Sequence, residues 1–410
     1  MRRDQRTRSC SFVDLHAASC TKALCYTIPV LLSLLFTATA REQQSSSGVE
    51  TTTADRLQAS GWWPTKGVAA QSEFAGQAAC VECHASQAGS QSATPMESAA
   101  QRSPAITVLR DHAALKLVNG PHTFSVTTGA NGSSYSITDG SETLTVPVSW
   151  AFGSDQLGQT YLYQEGDRWY ESQVSFFANS QALDLTAGHA FHPDGTLHDE
   201  LGKPLAAQDL QRCFQCHTTF ASSAGRFQLQ QAIGGIQCEM CHGPARAHVT
   251  GMRAPDKGAS TPHTSMLDLG AMSPVDSVDF CGACHRTWAD VAFSAETSRA
   301  PDILRFQPYR LEKSKCWGAN GDARITCVAC HDPHKPLNRD DAVYDRQCLS
   351  CHSPENRAAS HLHPADVKIC PKSVKKCTSC HMPRYTVASM HGTFTDHMIR
   401  IVKPGEVFPM

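Results

Sequence analysis

Apolar and polar residues alternate along one stretch of the chain, residues 122–180. Runs with a period of two lie at residues 124–126, 135–137 and 144–148, and a later pair of runs lies at 161–163 and 169–176. Asn131-Gly132, Asp139-Gly140 and Glu165-Gly166-Asp167 fall between runs, and such residues favour the tight turns of β-hairpins. The stretch therefore predicts a small antiparallel β module of about five strands.

The chain after residue 186 shows little regular pattern. Ser273-Pro274 suits the N-cap and first position of a helix, which should end at His285. Asn338 is predicted to cap a second helix that leads to Cys348. Elsewhere glycine, proline and polar residues predominate. The predicted fold class is an α and irregular core with few short helices, joined to the small antiparallel β module.

The N-terminus has the features of a secretory signal peptide, predicted for residues 1–40. Basic residues precede a short apolar run at residues 23–36, and Ala38-Thr39-Ala40 resembles a cleavage site. The run is short for a transmembrane helix, so an uncleaved anchor is the less favoured alternative. Residues 41–75 are expected to be a flexible leader. We therefore expect a periplasmic or other extracytoplasmic mature chain without a stable membrane span.

The cysteine and histidine content of the chain is its most informative compositional feature. The 410-residue chain has a net charge of −2, and nothing in it points to nucleic acid or to a charged membrane surface. It contains 19 Cys and 20 His. Fourteen of the Cys form seven C-x-x-C pairs, and a His follows each pair at once. In chain order, motifs 1 to 7 are Cys80/Cys83/His84, Cys213/Cys216/His217, Cys238/Cys241/His242, Cys281/Cys284/His285, Cys327/Cys330/His331, Cys348/Cys351/His352 and Cys377/Cys380/His381.

C-x-x-C-H is the attachment signature of c-type haem. The two thiols add to two vinyl groups of the porphyrin, and the adjacent His becomes the proximal ligand of the iron. The motifs therefore predict seven covalently bound haems c, with the 14 Cys as attachment points and the seven His as proximal ligands. Zinc ribbons and disulfides are the alternatives, but neither requires a trailing His.

The motifs are spaced unevenly. Motif 1 stands alone, a long gap follows, and motifs 2 to 7 come in quick succession. This spacing predicts a first haem segment at 76–121, the β module at 122–180 and a six-haem cytochrome c domain at 181–410. The module is expected to cover the first haem, with a binding role for an exposed strand edge as the alternative.

The sixth ligand of each iron has to come from outside the motifs. His248 and His334 each lie so close to a preceding proximal His that they would reach a neighbouring haem rather than the same iron. Met96 follows motif 1, where His/Met ligation, a distant His or an ordinary apolar contact are all open. The remaining candidate distal ligands are His189, His361, His391 and His397.

Two cysteines of the expected mature chain lie outside the motifs, Cys316 and Cys370. An even number of remaining cysteines in an oxidising compartment suggests a disulfide, which would join the loop before motif 5 to the loop before motif 7. Two free thiols are the alternative.

Three segments carry a family resemblance. Residues 238–248 read Cys-Glu-Met-Cys-His-Gly-Pro-Ala-Arg-Ala-His, residues 326–334 read Thr-Cys-Val-Ala-Cys-His-Asp-Pro-His, and residues 377–383 read Cys-Thr-Ser-Cys-His-Met-Pro. They resemble bacterial multihaem cytochromes with doubled C-x-x-C-H units, related to the tetrahaem cytochrome c that accepts electrons from hydroxylamine oxidoreductase. Runs at 170–176 and 394–400 are similar to a larger subgroup.

The resemblance covers roughly residues 76–405. It implies mostly bis-His haems in close-packed pairs, in the periplasm or at the cell surface, and it supports His248, His334 and His397 as distal ligands. Relatives often carry a His shortly after motif 1, whereas residues 92–96 of this chain read Ser-Ala-Thr-Pro-Met. The sixth ligand of the first haem therefore stays open.

Two functions are compatible with these motifs. An electron carrier is favoured, because seven haems leave about 50 residues each and must lie close together. The alternative is a reductase or oxidase of small nitrogen or sulfur compounds, which would need one iron with an open distal position. No C-x-x-C-K motif is present to mark a catalytic haem. The expected partners are redox proteins.

Overall fold

The structure is a computed structural model that describes residues 60–192, 194–254, 266–287, 302–318, 321–355, 369–403 and 406. The predicted signal peptide, most of the predicted leader and the candidate ligand His361 lie outside the described residues. Within the described ranges, no helix is both long enough and apolar enough to cross a membrane.

The strands that follow motif 1 form two antiparallel sheets. In chain order they are β1 (Ala100–Arg102), β2 (Ala114–Asn119), β3 (His122–Gly129), β4 (Gly132–Thr138), β5 (Thr143–Pro147), β6 (Trp150–Ser154), β7 (Gly158–Glu165), β8 (Arg168–Phe177), β9 (Ala182–Leu185) and β10 (Gly202–Pro204). Strands β2 to β5 make a four-stranded meander. The second sheet has the order β1-β6-β7-β8-β10, and β9 also pairs with β8.

The period of two decides which side chains of the meander are buried. Phe124 pairs with Ile137 and Val126 with Tyr135 across β3 and β4, and all four side chains are fully buried. The turn between these strands contains Gly132, whose φ of 120° is one that glycine adopts without strain. Strands β3 and β4 therefore follow from the alternation read in the sequence.

The β module is larger than the predicted single sheet of about five strands at 122–180. Strands β1 and β2 begin before that range, and β9 and β10 lie beyond it. Strands β1 and β10 have three residues each, too few to show a period. Strand β2 buries Leu115 but leaves most of its other side chains accessible, so its pattern is weak.

The two sheets share one apolar core. Phe124 and Tyr135 of the meander meet Tyr161 and Phe176 of the second sheet in it. A buried tyrosine hydroxyl needs a hydrogen-bond partner. The hydroxyl of Tyr135 donates to the carbonyl of Leu201 at 2.8 Å. The module thus has a conventional hydrocarbon core that includes no haem motif.

The α-helices of the described residues are short, and most of them carry a motif. In chain order they are α1 (Gln77–Val81), α2 (Ala85–Gln91), α3 (Thr107–Asp111), α4 (Leu197–Leu201), α5 (Ala207–His217), α6 (Cys238–His242), α7 (Arg246–Arg253), α8 (Pro274–His285), α9 (Gln307–Glu312), α10 (Cys327–Cys330), α11 (Asp345–His352) and α12 (Cys377–His381).

Short ribbons fill part of the chain between the helices. They pair β11 (Thr218–Thr219) with β14 (Ile233–Gly234), β12 (Ser222–Ser223) with β13 (Arg226–Phe227), and β15 (Arg384–Val387) with β16 (Gly392–Thr395).

Of the two helix starts predicted from capping residues, one agrees with the structure. Ser273 Oγ accepts from the backbone N–H of Asp276 at 3.1 Å, and α8 runs from Pro274 to His285. The cap at Asn338 is wrong. Asp340 caps a 3₁₀ turn at Asp341–Tyr344 that precedes α11, and Asn338 instead accepts from the N–H of Asp340. Asn and Asp are equally good caps, so the sequence alone does not separate them.

The second sheet packs against α5, the helix that carries motif 2. Phe214 of α5 is fully buried and meets Trp150 and Phe152 edge-on, with ring centres 5.1 and 4.9 Å away. Phe152 also lies 5.5 Å from the ring of His217. These contacts are with the second motif, whereas the module was expected to cover the first haem.

The buried Phe124 allows a test of the module's core. We expect Phe124→Ala to lower the free energy of unfolding by about 3–5 kcal/mol, because it removes a large apolar side chain and leaves a cavity. Urea unfolding followed by far-ultraviolet circular dichroism measures this change. Val118→Ala on β2 is the control, since Val118 is 65% exposed, and it should change the value by less than about 0.5 kcal/mol. Equal effects would contradict this core.

Candidate haem-attachment sites

Each motif lies on a short helix or at its end. Helices α6 and α12 span motifs 3 and 7, and α5, α8 and α11 each end at the His of their motif. Motif 1 begins in α1 and continues into the turn before α2, and motif 5 begins α10. Helical residues three apart share a face, so the two thiols of C-x-x-C point to the same side.

Cysteines of different motifs lie side by side. The thiol of Cys80 lies close to that of Cys238, which joins motif 1 to motif 3. The same kind of contact joins motif 2 to 4, motif 4 to 5 and motif 6 to 7, through Cys216–Cys284, Cys281–Cys327 and Cys348–Cys377. The helices that carry these cysteines also contact each other.

Two weaker electrostatic interactions complete the order of the motifs in space. Cys241 of motif 3 interacts with Cys281 of motif 4, and Cys330 of motif 5 with Cys348 of motif 6. Motifs 1, 3, 4, 5, 6 and 7 thus form a continuous row, and motif 2 joins the row at motif 4. Chain order alone would have set motif 2 between motifs 1 and 3.

His334 lies opposite the proximal His of motif 3. Its ring and that of His242 are nearly parallel, at 4°, with their centres 6.0 Å apart. Asp332 holds His334 from behind, because its carboxylate accepts the backbone N–H of His334 at 3.0 Å and lies 3.4 Å from Nδ1. The structure thus brings together two histidines from motifs that are distant in sequence.

His397 stands in a similar relation to motif 5. Its ring centre is 6.3 Å from that of His331, with 46° between the ring planes. An iron with an imidazole nitrogen about 2 Å away on each side would separate the two ring centres by roughly 6 Å. Both histidine pairs therefore fit axial ligation of a haem iron between them.

Backbone carbonyls orient several of these imidazoles through Nδ1. The contacts run from His217 to Ala99 at 3.1 Å, from His381 to Arg400 at 2.8 Å and from His397 to Thr395 at 3.0 Å. His242 also contacts the backbone of Leu267. A carbonyl that accepts from Nδ1 fixes the proton there and leaves Nε2 to bind a metal.

Burial keeps several of these imidazoles neutral. It lowers the pKa of His397 to about 4. Burial likewise lowers the pKa of the proximal histidines His217, His242 and His331 below the usual value of 6.5. Only the neutral imidazole has a nitrogen lone pair for a metal, so the protonation state fits haem ligation.

The seven motifs have the same sequence pattern, but motifs 1 and 7 each leave one cysteine uncovered. Cys83 and His84 of motif 1 and Cys380 of motif 7 are exposed to solvent. These motifs lie near the two ends of the described chain, where few segments pack over them. The polypeptide alone does not enclose these three side chains, and a porphyrin bonded to the thiols would cover them. Burial thus gives no support to their predicted roles in haem attachment and ligation, which stay predictions.

Two further proximal candidates, His285 and His352, are also exposed. Each is the last residue of its helix, α8 or α11. The other cysteines and histidines of the motifs are partly buried. The seven motifs therefore share a sequence pattern but differ in how far the chain shields them.

His84 nevertheless lies close enough to His242 for the two imidazoles to interact electrostatically, and this interaction helps to lower the pKa of His242. The histidine of motif 1 is thus near that of motif 3. This agrees with the contact between Cys80 and Cys238 of the same two motifs.

A buried ion pair lies directly behind His397. Arg310 and Asp396 are fully buried, and two contacts of 2.8 and 2.9 Å join guanidinium to carboxylate. Arg400 approaches the same carboxylate at 2.5 Å. Burial opposes ionisation of Asp396, but the hydrogen bonds from Arg310 and from the Met398 N–H lower its pKa overall. Because Asp396 directly precedes His397, the pair fixes the backbone that carries this imidazole.

Sequence reasoning did not find Arg310. It lies on α9, 86 residues before Asp396, and no motif surrounds it. Asp396 and Arg400 stand in the run at 394–400 that carried part of the family resemblance. The available signal was Asp396 beside the candidate ligand His397, since a buried carboxylate needs a cationic partner.

His189 lies away from the position expected of a distal ligand. Its Nδ1 contacts the Gln173 amide oxygen and its Nε2 contacts the Glu171 carboxylate, each at 2.9 Å. Both ring nitrogens are engaged by side chains of β8, which leaves neither for a metal. The structure therefore argues against His189 as a distal ligand.

His391 also belongs to the β module. Its Nε2 lies 3.0 Å from the Asp184 carboxylate, and its ring packs on Phe177 with centres 4.3 Å apart. Its backbone carbonyl accepts from the side chain of Asn179. These contacts tie the C-terminal segment to the second sheet and argue against a ligand role.

Met96 and the segment before motif 3 are joined through the backbone. The carbonyl of Met96 accepts from the N–H of Ile236 at 2.8 Å and from that of Ala99 at 3.2 Å. The arrangement holds motifs 1 and 3 together. Ligation by the Met96 sulfur stays a prediction.

His248 lies on α7, beside motif 1. Arg253 of α7 pairs with Glu82 inside motif 1 at 2.5 Å, and Arg246 donates to the carbonyls of Ser72 and Phe74. A cavity of about 400 Å³ between α7 and α1 is lined by both arginines. Helix α7 therefore adjoins motif 1, and ligation by His248 stays a prediction.

Cys316 and Cys370 are both unbonded, so the predicted disulfide is not formed in this structure. Cys316 instead lies near Cys348 and Cys351 of motif 6, and burial raises its pKa to about 11. Cys370 is partly exposed, and hydrogen bonds from the N–H groups of Ser373 and Lys372 lower its pKa. The two thiols thus sit in different surroundings.

Known proteins with similar sequences bind several haems. A family model described as "Cytochrome c554 and c-prime" matches residues 171–243, which include motifs 2 and 3. The multiheme cytochrome MtrA of Shewanella baltica is 24% identical over 204 residues, 45% of this chain and 46% of that protein. The high-molecular-weight cytochrome c of Nitratidesulfovibrio vulgaris is 24% identical over 175 residues, 42% of this chain and 25% of that protein. In these segments the chain is similar to multihaem c-type cytochromes.

The matches also support haem c as the cofactor of this chain. The chain spans about half the length of MtrA and a quarter of the high-molecular-weight cytochrome c. Among solved structures, the outer cell wall cytochrome OcwA is similar with a TM-score of 0.45 and 16% identity, over 81% of this chain and 80% of that one.

The ion pair behind His397 generates a stability prediction. Asp396→Asn leaves the charge of Arg310 buried without its carboxylate partner, so we expect the cytochrome to lose about 3–5 kcal/mol of unfolding free energy in urea titrations. Asp322→Asn is the control, because Asp322 pairs with the partly exposed Arg324 and should cost about 1 kcal/mol or less. A loss below that of the control would contradict this role for Asp396.

Proposed function

We propose that this cytochrome carries seven covalently attached haems and passes electrons along the row of motifs 1, 3, 4, 5, 6 and 7, with motif 2 as a branch at motif 4. The closeness of cysteines of neighbouring motifs, on helices that contact each other, carries this proposal. A porphyrin is bound through those sulfurs, so motifs whose thiols touch hold their haems close. Closeness of redox centres is what fast electron transfer requires.

We further propose that the haems are mostly bis-His, with His334 as distal ligand at motif 3 and His397 at motif 5. The spacing of the ring pairs, 6.0 and 6.3 Å, supports this assignment. An iron with two protein ligands cannot bind a substrate directly, and bis-His ligation keeps the potential below that of a His/Met haem. Both properties suit a carrier of electrons.

The proposal includes an extracytoplasmic location. Residues 1–40 would direct export, and haem attachment would follow it. The relation to the tetrahaem cytochrome that serves hydroxylamine oxidoreductase stays a prediction, and so does a partner of that kind. A redox protein at either end of the row would supply or take the electrons.

Haem content and spin state test the proposal together. We expect the pyridine haemochrome of the purified holoprotein to give seven haems per chain, and its electron paramagnetic resonance spectrum to show low-spin iron. A high-spin signal from one haem per chain, shifted by nitrite or hydroxylamine, would instead favour a reductase or oxidase of small nitrogen compounds. Fewer than seven haems would contradict the proposed row.

Substitution of the two proposed distal ligands tests the assignment. We expect His334→Ala and His397→Ala each to convert one low-spin haem per chain to high spin, because each leaves one iron a ligand short. His189→Ala and His391→Ala are matched controls, since these histidines are engaged within the β module, and their spectra should match the wild type. His334→Met should keep low spin and raise one potential. An unchanged spectrum for His334→Ala would refute the assignment at motif 3.

A further inference from the structure

Glu239 links motif 3 to motif 1. It is the second residue of α6, inside motif 3, and only 2% of its side chain is exposed. Its Oε1 accepts the N–H of Ala75 and its Oε2 accepts that of Gly76, each at 2.8 Å. Gly76 is the N-cap of α1, the helix in which motif 1 begins. A carboxylate of one attachment helix thus binds the start of another.

Asp345 makes the equivalent contact between motifs 6 and 7. It is the first residue of α11, which ends in motif 6, and it is also buried. Its two oxygens accept the N–H groups of Lys376 and Cys377 at 2.7 and 2.8 Å. Lys376 is the N-cap of α12, the helix of motif 7.

Each of the two carboxylates also lies beside a pair of cysteines from the two motifs that it joins. In each case the first cysteines of the joined motifs touch, Cys80 with Cys238 and Cys348 with Cys377. The carboxylate and the pair of thiols therefore lie at the same junction between two helices. We propose that Glu239 and Asp345 are positioning residues that lock the attachment helices of motifs 1 and 3, and of motifs 6 and 7, into pairs, and so set the geometry of the two haems in each pair. This inference rests on the proposed function for its haems.

A carboxylate is the side chain that this junction requires. Helix starts leave backbone N–H groups unsatisfied, and an ionised oxygen near them is favourable both as an acceptor and as a charge. Each oxygen of Glu239 and of Asp345 accepts at least one N–H, and Oε1 of Glu239 also accepts that of Ala245 at 2.8 Å. An amide side chain has one oxygen, and its NH₂ group would face a second donor.

Other capped helices of the molecule are satisfied locally. Ser273 caps its own helix α8, three residues from the N–H that it accepts. Asp340 accepts from Ala342, and the exposed Glu73 accepts from Ala70. These residues stabilise one element each, so they are suitable controls for the two carboxylates that bridge two motifs.

The test compares Glu239→Gln and Asp345→Asn with Glu73→Gln and Asp340→Asn in the full holoprotein. Loss of a charge-assisted hydrogen bond should speed amide hydrogen exchange about tenfold or more at residues 75–76 in Glu239→Gln and at 376–377 in Asp345→Asn. The controls should leave both sites unchanged. Peptide mass spectrometry then records which motifs carry haem.

The reduction potentials of the haems give a second measurement, which a change in stability alone would not shift. Removal of a negative charge beside two haems favours their reduced state, so spectropotentiometric titration should show the potentials of one pair rising in each variant and staying unchanged in the controls. If haem attachment is incomplete in a variant, the haem should be missing first at the motif whose helix start the carboxylate binds. This is motif 1 for Glu239→Gln and motif 7 for Asp345→Asn.

Unchanged potentials and exchange rates, or haem loss spread evenly over all motifs, would overturn the positioning role. Failure of the proposed function would look different, because the wild-type protein itself would then lack seven low-spin haems.

Discussion

Under the proposed function, attachment of each haem through two neighbouring thiols and one histidine is the constraint on which the haem-binding part of the molecule depends. It requires only a short helix per cofactor, and the described helices are short accordingly. Their arrangement follows from contacts between motifs, made by the thiols and by the carboxylates of Glu239 and Asp345. Long hydrophobic faces are unnecessary where side chains at the junctions fix the helices.

The β module obeys a different rule and has a hydrocarbon core of its own. It meets the haem-binding part where Phe214 packs between Trp150 and Phe152, next to the proximal His217. The module thus supports the one motif that stands off the row. An aromatic contact of this kind sets the position of a helix without adding polar groups near its histidine.

The sequence was informative where one local rule decides the structure. The period of two located β3 and β4, and Ser273 marked the start of α8. The motifs predict the attachment residues, which stay predictions, and the family match covers motifs 2 and 3. Contacts between distant segments could not be predicted in this way. The row of motifs, the pairing of Arg310 with Asp396 and the engagement of both His189 nitrogens each depend on residues that only the fold brings together.

The position of His334 has a consequence for biogenesis. It belongs to the loop after motif 5, yet its ring faces His242 of motif 3. Synthesis and export deliver motif 3 first. Under the proposed ligation, the distal ligand of the iron at motif 3 is translated after motif 3 itself. The distal ligand at motif 5, His397, is translated later still. Each of these two sites therefore obtains its second axial ligand from a more C-terminal segment. A chain truncated before that segment would have only one protein ligand for the iron at the earlier motif.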